Sequence, residues 1–435
     1  MTALDSRRRK RTLTAAMAGV VVLGAAPVLG YFGADVLRNS KAGTEAVTIP
    51  EVPFPSTPTA VLAVVNDQQD VTALAVMILA PGTGRGGTLV SIPTNASRAQ
   101  TMDDLNVPVA ASFVTGGAEG LLGDVESLSS VTLNFNAIAT EADVATLLEP
   151  VGPLAVIFPN PVTNTDVEGA GSTLFPAGPA TLSAAQAARV LTAIDPTQPE
   201  TGRLANVRSV WTALAATVGS GLATTNAAAA APTNFNEFLA RFLGGPVQVY
   251  NDLNTVALTG AANPERLDVG SLDRASVVFV MAAVAPGAMI APNPNLSFRI
   301  ENGLTDAEVA AAGLASYTSA SLSRDVIARL IFLQSNVVSV SAEIATLSTK
   351  VVPDKTIVFT LNEVQPAEEK DFVALYGPVE FRRPAVAYPL VDIVVVIGRS
   401  YLAEVKKNLD ASAVGSTPDG TATTVVDPSA ATVSS

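Results

Sequence analysis

Thr88-Leu89-Val90-Ser91-Ile92-Pro93-Thr94-Asn95 is an apolar, β-type run that stops at a proline and opens into a polar turn. Proline cannot donate to a sheet ladder, so the strand must end there. In an open α/β sheet ligands gather where strands end, because backbone donors and loop side chains converge at that edge. Upstream, Thr59 to Val65 and Ala73 to Leu79 are similar aliphatic runs separated by polar or glycine-rich turns. Unbroken apolar runs of this length suit strands buried on both faces. The stretch Gly82-Thr83-Gly84-Arg85-Gly86-Gly87 matches G-x-G-x-x-G by letter, but a strand follows it where the dinucleotide fingerprint needs a helix, so it reads as a hairpin turn.

Downstream, helices and strands alternate. Ala111 to Gly117 opens a helix, Ser130 to Phe135 reads as a strand, Thr140 to Leu148 as a helix and Leu154 to Phe158 as a buried strand. Ser183-Ala184-Ala185-Gln186 has the Ser-x-x-Gln capping pattern and starts a helix running to about Ile194, followed by a helix over Gly202–Val218. An alanine-rich connection, Ala223 to Thr233, leads to a helix over Asn236–Phe242 and an apolar run, Ala275 to Val284, that reads as a strand. Pro286, Pro292 and Pro294 mark a boundary. Beyond it, strands at Leu296–Ile300, Val337–Ser341, Thr356–Leu361 and Asp392–Ile397 are interleaved with helices opened by Thr305, over Arg324–Leu333 and near Glu368–Leu375. The pattern predicts an α/β domain with a central mixed sheet over residues 59–292 and a smaller α/β domain over residues 295–405. Residues 410–435 are polar and rich in Thr and Ser, the composition of a disordered tail.

Charge and composition narrow the chemistry. The 435 residues include no His and no Cys, which excludes Ser-His-Asp and Cys-His nucleophile systems, His or thiolate zinc sites and disulfides. A hard cation such as Mg²⁺ held by carboxylates is the metal chemistry left open. The chain carries 26 basic and 39 acidic residues, and five of the basic ones sit in Arg7-Arg8-Arg9-Lys10-Arg11. The remainder lacks the basic footprint that nucleic-acid binding needs. After a basic leader, residues 1–12, Leu13 to Ala34 is free of charge for 22 residues, and a transmembrane helix is expected over residues 13–36. The positive-inside rule keeps the leader cytoplasmic and puts the bulk of the chain outside the cell membrane. Residues 37–58, with Pro50, Pro53, Pro55 and Pro58, read as an extended stalk.

The strand exit Ser91-Ile92-Pro93 resembles the hallmark of the LytR-CpsA-Psr family, which attaches lipid-linked glycopolymers to the bacterial cell wall. The runs from Val131 to Val156 and from Leu174 to Leu191, and Gly202-Arg203 with Arg208 and Trp211, resemble later segments of that family over roughly residues 58–290. Phe298 to Gly303 and Val391 to Arg399 resemble the two ends of a LytR C-terminal domain. The resemblance implies a pocket of Arg and Asp side chains that holds Mg²⁺ and a polyprenyl pyrophosphate, with an apolar cavity for the lipid. This sequence departs from it where the family continues with Arg-Asp, since Thr94 and Asn95 stand there. Replacing the arginine removes a charge and five donors suited to phosphate oxygens.

The remaining ligand-binding candidates are Arg203, Arg85, Arg98 and Arg208, with Thr94 and Asn95, and Asp67 and Asp70 are candidate metal ligands. Each has a plainer reading beside it: turn residues for Asp67 and Asp70, a loop charge for Arg85, a helix-surface ion pair for Arg203. Arg208 lies five residues beyond Arg203, about 140° around a helix, so the two face different directions. Three functions are consistent with these residues. One is a non-catalytic, membrane-anchored envelope protein that binds polyprenyl lipid or cell-wall glycopolymer, or acts as a scaffold. Another is a phosphotransferase with a rearranged site. A third is an adaptor that recruits envelope proteins through its C-terminal domain.

Overall fold

The computed structural model describes residues 49–99, 104–165, 170–222, 231–362 and 364–415. The predicted leader and transmembrane span lie outside the described residues, and among the described residues no helix is long and apolar enough to cross a membrane.

The first lobe runs β1 (Thr59–Val65), β2 (Val71–Leu79), β3 (Gly87–Ile92), α1 (Ala111–Ser129), β4 (Phe135–Ala139), α2 (Glu141–Leu148), β5 (Leu154–Phe158), β6 (Val162–Thr165), β7 (Gly171–Phe175) and β8 (Gly178–Leu182). It continues with α3 (Ala184–Thr192), α4 (Glu200–Val218), α5 (Phe235–Leu243), β9 (Val247–Tyr250), β10 (Thr255–Ala257), β11 (Gly270–Leu272) and α6 (Arg274–Val284). Its central sheet has the order β4-β1-β2-β3-β9. The three middle strands are antiparallel neighbours, while β4 and β9 join the edges in parallel. Every residue of β1 and β2 is buried, as unbroken apolar runs require. Helices α2 to α5 cover one face, where Trp211 and Phe242 pack over Leu62, Met77 and Leu89, and α1 and α6 cover the other.

The second lobe runs β12 (Ser297–Glu301), α7 (Asp306–Ala311), α8 (Ser319–Phe332), β13 (Asn336–Ser341), β14 (Thr356–Thr360), α9 (Pro366–Tyr376), β15 (Val379–Arg382), β16 (Ile393–Val396) and α10 (Arg399–Gly415). Its mixed sheet has the order β13-β12-β16-β14-β15, with the β14–β16 pair antiparallel. A single buried apolar cluster runs through both lobes, from Val61 and Ile92 through Val277 and Met281 to Phe298 and Val395.

Several sequence expectations change here. Ala275 to Val284 is the helix α6, opened by Asp273, whose side chain accepts from the Ala275 amide at 3.1 Å. Ala275, Val277, Val278, Val280, Met281 and Ala282 are all buried because the helix is packed between the lobes. Ala283 is the one exposed residue of this helix and is itself apolar, so the sequence loses the 3.6-residue signal. The strand placed over Ser130–Phe135 begins only at Phe135, since Ser130 ends α1 in a left-handed conformation. Helix α10 extends through Gly415, so residues 410–415 belong to a helix and only residues 416–435 of the predicted tail lie outside the described residues.

The end of the predicted stalk is docked. The Val52 amide donates to the Ala387 carbonyl at 2.8 Å, Glu51 bridges to Ala387, and Phe54 stacks on Tyr388 at 5.7 Å between centroids. Prolines at 53 and 55 keep the segment extended, which is the shape that pairs with a strand-like partner. Beneath it Arg299 lies 4.5 Å from the Tyr388 ring and donates to Glu301 at 2.9 Å.

Candidate functional site

The turn after β3 delivers Thr94 and Asn95 to the N-terminus of α4, where both are buried. The Thr94 amide and hydroxyl both donate to Glu200 Oε1, at 3.2 and 2.7 Å. Arg203, one turn further along α4, donates through Nε to Glu200 Oε2 at 2.8 Å, and its Nη2 lies 2.6 Å from the same oxygen. Nη2 also donates to Thr94 Oγ1 at 3.0 Å, and Nη1 donates to the Thr72 carbonyl at the start of β2. All three guanidinium nitrogens therefore have partners inside the protein.

A second ring of bonds holds this cluster in place. The Glu200 amide donates to Asp268 Oδ2 at 2.9 Å, and Asn95 Nδ2 donates to Asp268 Oδ1 at 3.0 Å. Asn95 Oδ1 accepts from Thr255 Oγ1 at 3.1 Å. Glu200 opens α4 directly after Pro199, so its carboxylate also sits at the positive end of the helix dipole. The Asn95 carbonyl accepts from the Gly270 amide, fixing the turn to β11.

Chemically, the arrangement is a neutralised cation. One carboxylate oxygen of Glu200 meets both Nε and Nη2 of Arg203, where an anionic ligand's oxygen would otherwise sit, and Glu200 is only 6% exposed. The cavity beside Arg203, lined by Val162, Asp195 and Asn206 among others, measures about 10 Å³. That is room for one water at most.

The other candidates lie elsewhere. Arg85 is on the β2–β3 hairpin, at the opposite end of β3 from Thr94. The glycines around it serve close packing: a Cβ on Gly87, at φ +150°, would lie 1.9 Å from the Ile78 carbonyl oxygen. Arg98 pairs with Asp124 of α1 at 3.2 Å, where Ser112 also donates to that carboxylate. Arg208 points away from Arg203 as the helical spacing predicts, donating to Asn254 Oδ1 at 2.7 Å and to the Leu253 carbonyl. Burial pushes its guanidinium below the ordinary arginine range, against the opposing pull of Asp252 and Glu200.

Asp67 and Asp70 lie on the β1–β2 turn. Asn66 closes that turn by accepting from the Gln68 and Asp70 amides, and its own amide group donates to Asp70 at 3.3 Å. Among the described residues no three acidic side chains are grouped to hold a cation. Asp268, the acid beside the Glu200–Arg203 cluster, is engaged by the Asn95 side chain and the Glu200 amide.

Polar atoms on β3, on α4 and just after β9 are also left unsatisfied among the described residues. Ser91 Oγ on β3, Asn251 Oδ1 just after β9, and Arg208 Nε and Trp211 Nε1 on α4 are buried without hydrogen-bond partners among the described residues. Asn251 also donates to Thr212 of α4 at 3.0 Å, which ties the strand ends to that helix. Buried groups of this kind are the usual hosts of internal water.

The sequence reading missed Glu200, Asp268 and Thr255. A signal for the first was present: an acid at the start of a helix three residues before an arginine is a standard pairing distance. Thr94 meets Glu200 across 106 residues, and no local pattern encodes that contact.

No family model matches the chain, and comparison with curated proteins finds no relative. Among solved structures, B. subtilis TagV is 13% identical with a TM-score of 0.36, covering 51% of this chain and 93% of its own. A structure described as TagT bound to LIIa-WTA is 13% identical with a TM-score of 0.37, covering 52% of this chain and 88% of its own. A transcriptional regulator from Enterococcus faecalis is 16% identical with a TM-score of 0.36, covering 52% of this chain and 85% of its own.

Proposed function

We propose that this chain is a membrane-anchored, extracytoplasmic envelope protein related to the LytR-CpsA-Psr transferases, in which the transferase centre has become a structural cluster and the protein acts as a binding or scaffolding module. The observation that carries this reading is the engagement of Arg203 by Glu200, with Thr94 completing the ring where the family resemblance would place an arginine. A pyrophosphate would have to displace a buried carboxylate already paired with its cation, from a position with room for about one water. Loss of one charged donor to a transition state already lowers rates by about 10²-fold or more. A rearranged phosphotransferase centre would need Arg85, Arg98 and Arg203 together, whereas Arg85 is on the far hairpin, Arg98 in the loop after β3 is paired with Asp124 of α1, and Arg203 is on α4 paired with Glu200.

The test is native mass spectrometry of the full chain in detergent, with a polyprenyl-pyrophosphate-linked oligosaccharide, Mg²⁺ and a peptidoglycan fragment. The expected result is an intact lipid, bound or unbound, with no transfer of sugar phosphate to the fragment. Transfer that disappears in the Arg203→Ala variant would overturn the proposal.

A further inference from the structure

A cleft of about 530 Å³ opens where the loop after β3, strand β11, the start of α6 and the end of α8 meet, so both lobes line it. That is the volume range of small-molecule sites. At its base is Arg274, the first residue of α6. The guanidinium staples the end of α1: Nη1 donates to the carbonyls of Ser127 and Leu128 at 3.1 and 3.5 Å, and Nη2 to Ser130 Oγ at 2.9 Å. Those bonds satisfy helix-end carbonyls, and a purely structural role would stop there.

The rest of the group is not accounted for by the staple. Nε has no acceptor among the described residues and is not among the buried atoms left without a partner, so it reaches open space, and Nη2 keeps one hydrogen beyond its bond to Ser130. Among the described residues no carboxylate pairs with Arg274. Its neighbour Asp273 is turned to the Ala275 amide and the Ser276 hydroxyl. Burial pushes the guanidinium below its ordinary range, with no nearby acid acting in the other direction. In a chain with 39 acidic and 26 basic residues, a partly buried cation with no acidic partner is conspicuous.

The lining states what would complement it. Among the described residues no acidic side chain lines the cleft, whereas Ser97, Ser271 and Asn293 do, and the Asn293 side chain makes no hydrogen bond among them. Leu272, Pro292 and Ile331 form apolar walls. A cation, neutral donor–acceptor groups and apolar surface together match an anion carrying a hydroxylated ring, whose C–H faces lie on aliphatic side chains. We infer that the interlobe cleft is a binding site for a small anionic sugar, with Arg274 contacting its phosphate or carboxylate. The site is separate from the Glu200–Arg203 cluster and holds whether or not that cluster is inert.

Isothermal titration calorimetry of the full chain in detergent, with glucose 1-phosphate, glucose and inorganic phosphate as separate probes, tests this. Glucose 1-phosphate should bind at least about tenfold more tightly than either of the others, the equivalent of one charge-assisted contact or a set of hydroxyl contacts. Arg274→Gln should abolish the preference for the sugar phosphate over glucose. Because Arg274 also holds α1, Ile331→Trp provides an independent variant that fills the cleft from the other lobe and leaves those bonds intact. It should weaken glucose 1-phosphate by at least about tenfold while circular dichroism stays unchanged. Equal binding of glucose and glucose 1-phosphate, phosphate binding as tight as the sugar phosphate, no binding of any probe, or unaltered affinity in a folded Ile331→Trp variant would each overturn the inference.

Discussion

Glu200→Ala is the perturbation with the largest calculable consequence. It removes the acceptor for the Thr94 amide and hydroxyl and for two nitrogens of Arg203, whose side chain is 13% exposed and cannot regain full hydration. Removing one partner of a buried ion pair costs about 3–5 kcal/mol, because the other charge is left uncompensated. Orphaning the Thr94 donors adds about 1 kcal/mol, while the bonds from Arg203 to the Thr72 carbonyl and Thr94 Oγ1 survive and limit the damage. The expected loss is therefore about 4 kcal/mol. Replacing both partners together, Glu200→Leu with Arg203→Met, should recover all but about 1–2 kcal/mol, since an apolar pair of similar volume needs no desolvation. Urea unfolding read by tryptophan fluorescence measures this directly: Trp211 is the single tryptophan, is 1% exposed and lies on α4 itself. A loss below about 1 kcal/mol for Glu200→Ala, or a double variant no more stable than the single, would show that the cluster does not hold α4 as argued.

Gly398→Ala would place a Cβ 2.3 Å from the Lys355 carbonyl carbon and 2.5 Å from the Thr356 nitrogen, backbone atoms that cannot move aside; a destabilisation of about 3 kcal/mol is expected in thermal unfolding, and a tolerated substitution would refute it. The Glu308 carboxyl is held below the usual carboxylate range first by the Thr305 amide, then by Arg399 and the Thr305 hydroxyl. Because the folded pKa is the lower one, its stabilisation is present above the unfolded value of about 4.3 and is lost as pH falls through the folded value. Arg399→Ala should move the Glu308 pKa upward in a carboxyl NMR titration, and an unmoved curve would contradict the pairing. Phe54→Ala removes the ring stacked on Tyr388 and near Arg299, worth about 1–2 kcal/mol, and should speed hydrogen exchange of the Val52 amide by about tenfold. An unchanged exchange rate would mean that the strand-like bond from Val52 to Ala387 holds the segment without the ring.

The amino-acid sequence by itself determined the sheet elements whose side chains face one kind of environment. The runs Thr59–Val65 and Thr88–Ile92 are strands because β-branched and aliphatic residues buried on both faces leave no other compact state, and the caps at Thr140, Ser183 and Thr305 open helices through bonds three residues apart. It also excluded every chemistry that needs histidine or cysteine. Tertiary structure decided the rest. Ala275 to Val284 became a helix because it is enclosed by two lobes, an environment that erases periodicity, and the end of the stalk was docked by a ring 334 residues distant in sequence from its partner. The state of Arg203 was set by Glu200 beside it on α4 and by Thr94, brought from 109 residues away. Arg274 acquired an open cleft from Ile331 on the other lobe. Charge and residue type are local properties of a chain, but whether a cation is neutralised or left to face a ligand depends on which distant groups the fold brings within about 3 Å of it.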